Sequence, residues 1–241
     1  GMNKNNYSEL KNISSMDKSL LVKKVFSSVS IKYDFMNDIM SMGMHRFWKN
    51  NLVDLMIINN NDQILDLAGG SGDISKRILK KNSNTKVILY DRSKEMIAIA
   101  KKKIKNKQVK FICDIAERMP FDNKSFDIIV TSFGLRNFSD IQKSMVEIHR
   151  TLKQGGKFYC LEFSKVNSKS LRFLFNAYCK LIPKLGNFFA NDQEAYEYLI
   201  ESIKCFPNQI EISKKLRNVG FKNIECFDLL DGVASIHIGE K

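Results

Sequence analysis

The chain has no apolar run of about eighteen residues, the length a helix needs to cross a bilayer, so no membrane span is expected. Its first twenty residues hold neither the apolar core of a signal peptide nor the arginines of a transit peptide. Gly1 ahead of Met2 reads as an addition left by cloning. Cysteine is sparse and scattered. Cys113, Cys160, Cys179, Cys205 and Cys226 include no C-x-x-C pair, and five is an odd number. Neither a disulfide framework nor a zinc site is expected, and a reducing compartment is. No cluster of metal ligands, internal repeat or low-complexity linker is visible.

At 241 residues the chain has room for one domain with a substantial core. Its net charge of +13, mostly lysine, offers attraction to nucleic acid or to an anionic membrane; a solvated lysine surface is the plainer alternative. Residues 1–18 read as a loose, flexible tail and 19–241 as a single domain. Apolar spacing is helical from Ser19 to about Asn51. Strand candidates then alternate with helix candidates: Gln63–Leu67, Asp73–Lys81, Lys86–Tyr90, Lys94–Ile104, Lys110–Cys113, Phe126–Thr131, Asp140–Leu152 and Lys157–Glu162. Gln154-Gly155-Gly156 reads as the turn before the last of these. Such alternation predicts an α/β fold with a mostly parallel sheet. Residues 165–210 interrupt it as a helical insertion. Strands at Asn223–Leu229 and Ala234–Ile238 follow, bringing the sheet to seven with one antiparallel strand at the edge.

The densest chemistry lies in Ile64-Leu65-Asp66-Leu67-Ala68-Gly69-Gly70-Ser71-Gly72-Asp73, a strand running into a glycine turn and a helix. Gly70 and Gly72 permit a sharp turn and close approach to a ligand. The third glycine of G-x-G-x-x-G is missing, and Asp66 and Asp73 would repel a pyrophosphate. They suit a cationic ligand such as the amino acid end of S-adenosylmethionine, and the pattern resembles motif I of the Rossmann-like methyltransferases. Asp91, followed by Arg92, ends the next strand about where a ribose diol is gripped; a helix N-cap is the alternative role. In such enzymes the loop after the third strand lies against adenine, which makes Asp114 a candidate. Thr131-Ser132-Phe133-Gly134-Leu135-Arg136-Asn137 ends the fourth strand, where substrate chemistry is expected. It carries neither the (Asp/Asn)-Pro-Pro-(Tyr/Phe) segment of enzymes that methylate base amines nor the Pro-Cys pair of those that attack cytosine. That weakens the nucleic-acid reading despite the charge. Arg136 and Asn137 could bind a phenolate or enolate oxygen, or Arg136 could pair with a neighbouring carboxylate.

Lys32-Tyr33-Asp34-Phe35-Met36-Asn37-Asp38-Ile39-Met40-Ser41-Met42-Gly43-Met44-His45-Arg46-Phe47-Trp48-Lys49 reads on propensity as a helix, a glycine break and a second helix. The run also resembles the first signature of the UbiE-type quinone-biosynthesis C-methyltransferases, K-Y-D-x-M-N-D-x-M-S-x-G-x-H-R-x-W-K. Leu67–Asp73 is similar to that family's L-A-G-G-T-G-D, and Ser132–Asn137 to its S-F-G-L-R-N. Leu161–Ser164, Tyr198–Ile203, Phe206–Gln209 and Gly232–His237 also match, so the resemblance runs from about Val25 to Lys241. It implies a class I methyltransferase fold and methylation of a ring carbon of a polyprenyl benzoquinol (ubiquinone branch) or naphthoquinol (menaquinone branch). By position that family's S-adenosylmethionine contacts fall on Ser71, Asp91, Ile115, Ala116 and Ser132; with the candidates read from the residues themselves, Asp66, Gly70, Gly72, Arg92 and Asp114 complete the expected cofactor site, and S-adenosylhomocysteine is the product. Ser71 departs from the usual threonine, Ile115 from the usual Asp or Asn, and Gln154 from the usual proline of K-P-G-G.

Activated sulfonium leaves an enzyme to position the reactants and to make the ring carbon nucleophilic by deprotonating a quinol hydroxyl. Arg136 is the expected charge stabiliser, with Tyr33 and Asn137 orienting the ring. The base is water, Tyr33, His45 or a carboxylate, although a lone histidine is more often structural. The insertion crowds Leu171, Phe173, Leu174, Phe175, Tyr178, Leu181, Ile182, Leu185, Phe188 and Phe189 beside Lys165, Lys169, Arg172, Lys180 and Lys184. It reads as a prenyl-tail groove or an interfacial helix on an anionic membrane, against a lid helix or half of a homodimer interface. The expected location is the bacterial cytoplasm or mitochondrial matrix, peripheral to the inner membrane, with a quinone-synthesis complex as partner and no nucleic acid. Alternative functions are a methyltransferase of another small or lipid acceptor, or of RNA, and a non-catalytic S-adenosylmethionine-binding subunit.

Overall fold

The computed structural model describes residues 16–18, 20 and 33–241. Most of the expected tail, and the part of the first helical stretch at 21–32, lie outside the described residues. Met16–Lys18 are helical, where the sequence reads as tail. Helices α1 (Tyr33–Ser41) and α2 (His45–Leu55) flank the glycine break, and Gly43 has φ +79°.

The sheet is built from β1 (Gln63–Leu67), β2 (Lys86–Asp91), β3 (Val109–Cys113), β4 (Phe126–Ser132), β5 (Leu152–Phe163), β6 (Lys222–Leu229) and β7 (Ala234–Glu240). Helices α3 (Asp73–Lys81), α4 (Lys94–Lys103) and α5 (Ile141–Thr151) connect the parallel strands. The insertion forms α6 (Lys169–Ala190) and α7 (Gln193–Cys205), and α8 (Gln209–Val219) leads to β6. The strand order is β3-β2-β1-β4-β5-β7-β6. β1 to β5 pair in parallel, and β7 runs antiparallel to both β5 and β6.

Both faces of the central strands are covered, which is why β1, β4 and the second half of β5 read as near-continuous apolar runs, whereas edge strand β6 is largely exposed. Alternate residues go to opposite sides. Ile64, Leu89, Val130 and Leu161 face a core shared with α1, α2, α3, α4, α6 and α7. Leu65, Leu67, Ile129 and Phe158 face the core under α5 and α8. Burying a Val, Leu, Ile or Phe side chain contributes about 1.5–3 kcal/mol, so these layers hold the strand ends in place.

Local sequence sets the helix starts. Ser93 caps α4 by accepting from Met96 N at 3.2 Å, and Asp140 caps α5 by accepting from Lys143 N at 2.9 Å. Asn208 and Glu211 form a capping box on α8. Gln154-Gly155-Gly156, expected as a turn, instead belong to β5. The register shifts between the Phe126–Leu152 and Ile128–Lys157 pairs, so extra residues bulge from β5. The bulge is stitched to the chain end: Gly155 N donates to Lys241 O and Lys241 N to Gly156 O, both at 2.9 Å.

Candidate active site

Strand order reverses between β1 and β4, and in open α/β sheets ligands bind at the carboxyl ends of the strands at such a point. A cavity of about 390 Å³ lies there, lined by the segments after β1, β2, β3 and β4 together with Tyr33, Asp34 and Lys49. Its glycine loop is shaped by left-handed backbone at Ala68 (φ +56°) and Gly70 (φ +56°). Gly69 has no room for a side chain, since a Cβ there would sit 2.8 Å from Leu89 Cγ and 3.0 Å from Asp66 Cγ. Phe133, also left-handed at φ +55°, closes the opposite wall.

Asp66, the penultimate residue of β1, is buried, with Oδ2 accepting from Ser75 N at 3.1 Å and Ser75 Oγ at 2.6 Å. Its Oδ1 has no hydrogen-bond partner among the described residues. Burial pushes its pKa up to about 7, against the pull of the Ser75 hydrogen bonds. Asp91 ends β2. It accepts from Gly70 N at 3.0 Å and from Ser93 N at 2.8 Å, which ties the glycine loop to the start of α4. The N-cap of that helix is Ser93. A carboxylate has about four lone-pair sites, so Asp91 retains acceptor capacity toward the cavity. Arg92, Asp114, Ile115, Ala116 and Ser132 line the same space, as do Gly70 and Ser71. The Ser132 hydroxyl is buried without a partner among the described residues.

Gly72 stands off the cavity wall. A Cβ there would lie 2.4 Å from Ile104 Cδ1, so its φ of +94° serves helix–strand packing. His45 also lies away from the cavity. It is wholly buried, with Nε2 2.8 Å from Asp38 Oδ1, joining α1 to α2. Burial and nearby Lys49 push its pKa down to about 4, so it is neutral at pH 7.

The largest correction concerns Arg136. Its side chain does not reach the cavity but forms a buried ion pair with Glu162, while Nε donates to Ser202 Oγ at 2.9 Å. Its backbone N–H also donates to Glu162 Oε2, at 3.1 Å. The guanidinium is therefore a structural tie between β5, α7 and the turn after β4. Asn137 does line the cavity, with Oδ1 accepting from the buried Tyr198 hydroxyl at 3.0 Å. Tyr33 lines it too and donates to Phe133 O at 3.2 Å. Burial raises the Tyr33 pKa, so it stays a phenol and is no base at neutral pH.

A buried cation that lines the cavity, beside Arg92 and Lys94, is Lys49, which the sequence reading assigned no role. It is 4 % exposed, with Nζ 3.1 Å from Asp73 Oδ2 and 5.9 Å from the Phe133 ring centroid. Burial raises Asp73, but the Lys49 ion pair together with Arg77 and Lys103 outweighs this and leaves it below its ordinary pKa. Asp34 sits on the same wall, raised by burial and by the neighbouring Asp73 carboxylate. Its place one residue after Tyr33, on the same helical turn, was the available signal.

Seven carboxylates line the cavity (Asp34, Asp66, Asp73, Asp91, Glu95, Asp114, Glu117) against three cations (Lys49, Arg92, Lys94). A chain of net charge +13 thus presents a net-acidic site. Coulomb attraction in this partly desolvated space favours a cationic ligand. An unpartnered buried carboxylate oxygen next to a glycine loop fits the ammonium of an S-adenosylmethionine methionine end, and Asp91 fits its ribose diol.

The seven-stranded topology and this site define a Rossmann-like, class I methyltransferase. The same fold occurs in an S-adenosylmethionine-dependent methyltransferase of Thermotoga maritima (TM-score 0.65, 16 % identity, 90 % of this chain and 99 % of that one). It occurs also in phosphoethanolamine N-methyltransferase 2 of Haemonchus contortus, solved with S-adenosylhomocysteine (TM-score 0.60, 16 % identity, 81 % and 52 %). The chain belongs to the ubiE/COQ5 methyltransferase family, whose model matches residues 13–241. It is 43 % identical, over the whole of both chains, to the ubiquinone/menaquinone biosynthesis C-methyltransferase UbiE of Rickettsia bellii. It is 42 % identical to the mitochondrial 2-methoxy-6-polyprenyl-1,4-benzoquinol methylase of Caenorhabditis elegans, over 93 % of this chain and 81 % of the relative.

Proposed function

We propose that the protein methylates a ring carbon of a polyprenyl benzoquinol or naphthoquinol, using S-adenosylmethionine, in ubiquinone or menaquinone biosynthesis. The observation that carries the reading is the net-acidic cavity at the ends of β1 and β2, in a chain of the ubiE/COQ5 family. When bound, S-adenosylmethionine supplies an activated methyl group.

The chain's own residues do the rest. Asp66 would hold the cofactor's ammonium, Lys49 its carboxylate and Asp91 its ribose diol. Asp114, Ile115 and Ala116 border the adenine. Phe133 and Tyr33 wall the acceptor end, and Asn137, held by Tyr198, orients a quinol oxygen. Asp34 takes the quinol hydroxyl proton: burial and Asp73 make it a stronger base than an exposed aspartate. After transfer the methylated ring carbon releases its proton to water and Asp34 returns its own to the quinol oxygen, which restores the aromatic ring. Lys49, close by, favours the resulting oxyanion.

Among the described residues no helix is long and apolar enough to cross a membrane. The exposed Phe173, Leu174, Leu181, Phe188 and Phe189 of α6, beside Lys169, Lys180 and Lys184, support peripheral contact with an anionic membrane. The site of action is then the membrane-facing edge of the bacterial cytoplasm or mitochondrial matrix. A homodimer and a quinone-synthesis complex remain partners to test by size analysis and co-purification.

The test is calorimetric titration of S-adenosylmethionine into wild type and Asp91→Ala, followed by methyl transfer to a short-chain demethylated quinol. Binding lost in Asp91→Ala, with product methylated on ring carbon, is expected. A folded wild type that does not bind S-adenosylmethionine, or that methylates oxygen, would overturn the reading.

A further inference from the structure

Two helical stripes face each other in the insertion. Arg172, Phe175, Asn176 and Cys179 share one face of α6 at i, i+3, i+4 and i+7, and Ile200, Ile203 and Lys204 share one face of α7. The two helices are pinched together at Gly186, where a Cβ would lie 2.3 Å from the Tyr196 ring. Between the stripes they part and leave a cavity of about 340 Å³. Protein interiors seldom leave voids larger than a water molecule, and this volume lies in the range of ligand pockets, about 300–1,000 Å³.

The cavity is two-ended in character. Met40, Val166, Cys179, Ile200 and Ile203 are buried and apolar, a wall that favours an apolar occupant over water. Lys165, Arg172 and Lys204 also line it, and no carboxylate does so among the described residues. Two of these cations are pinned by main-chain carbonyls. Lys165 Nζ donates to Ile203 O at 2.6 Å and Lys204 O at 2.8 Å, and Arg172 Nε donates to Val166 O at 3.1 Å. Those bonds fix the heads in position, and Asp231, which does not line the cavity, is a carboxylate that feels the Arg172 charge. Glu201, which does not line the cavity, reaches Lys204 at 3.5 Å. Next to Arg172, Phe173 and Leu174 are 75 % and 63 % exposed, a greasy approach to the charged residues.

We propose that this cleft binds one alkyl chain of an anionic lipid, with the chain against Met40, Cys179, Ile200 and Ile203 and the phosphate at Lys165, Arg172 and Lys204. The cleft shares no described lining residue with the methyl-transfer cavity, and its chemistry is independent of that reaction. The pinned cations are preorganised for a phosphate, and the long apolar floor excludes a bare anion as the preferred ligand.

Dodecyl phosphate, titrated into the full chain below its critical micelle concentration, is the probe. Saturable binding is expected, with dodecanol and inorganic phosphate each at least about tenfold weaker, because each lacks half of the complementarity. Dodecyl phosphate should also slow reaction of the buried Cys179 thiol with a maleimide, leaving the exposed Cys113 unprotected. Cys179→Trp, or Ile200→Phe should the first not fold, fills the cleft and should abolish binding. Arg172→Glu should weaken binding about tenfold or more through loss of a charge-assisted bond. S-adenosylmethionine affinity serves as the folding control and should not change in any variant. Absence of binding, equal binding of dodecanol or of inorganic phosphate, or binding that survives a filled cleft would each overturn the proposal.

Discussion

Arg136→Met separates a structural guanidinium from a catalytic one. Arg136 and Glu162 have side chains only 2 % and 3 % exposed and form an ion pair. Removal of the guanidinium leaves Glu162 Oε1 with the Phe163 N–H at 2.8 Å and Oε2 with the Arg136 backbone N–H at 3.1 Å. Burial already lifts the Glu162 pKa, with Arg136 as the main opposing pull, so loss of the guanidinium would lift the orphaned carboxyl further. Breaking a buried pair from one side costs about 3–5 kcal/mol. For a domain of this size each kcal/mol lowers Tm by about 2–4 °C, so a fall of about 6–20 °C is expected by scanning calorimetry. Arg136→Met/Glu162→Gln should recover part of that loss, because a neutral pair leaves no buried charge. Below its lowered Tm, Arg136→Met should still bind S-adenosylmethionine. An unchanged Tm with kcat reduced by orders of magnitude would refute the structural assignment and put the guanidinium at the reacting atoms.

Asp66 makes cofactor binding depend on pH. Its folded pKa is raised to about 7, so the stability it contributes is present below the unfolded value near 4 and is lost as pH rises through 7. A cationic ligand favours the ionised form, so S-adenosylmethionine affinity should increase through pH 7 with proton release, and Asp66→Asn should flatten that profile in calorimetry across several buffers. Lys49→Met should weaken S-adenosylmethionine by about ten- to a hundredfold through loss of a charge-assisted bond, while 5′-methylthioadenosine, which lacks the amino acid, binds as before. Equal losses for both ligands would mean that Lys49 only supports the wall. Gly186→Ala should destabilise by about 1–3 kcal/mol in urea, because its Cβ would meet the Tyr196 ring at 2.3 Å. Unchanged or increased stability would show that α6 and α7 do not pack there.

Local pattern alone carried much of the fold. Gln63–Leu67 and Asp73–Lys81 read in sequence with the bounds they have in the structure, since hydrophobic period and turn glycines act over a few residues. The glycine loop, Asp91 at a strand end and Asn137 after β4 were legible for the same reason: strand ends are local, and ligands bind there. What sequence could not determine was who faces whom. Arg136 meets Glu162 and Ser202, respectively 26 and 66 residues away, because β4 lies beside β5 with Ser132 opposite Leu161. Lys49 reaches Asp73 across 24 residues, and His45 turns to Asp38 and away from the cavity. A charged side chain takes its role from its nearest desolvated partner, and only the packing of one element on another decides which partner that is.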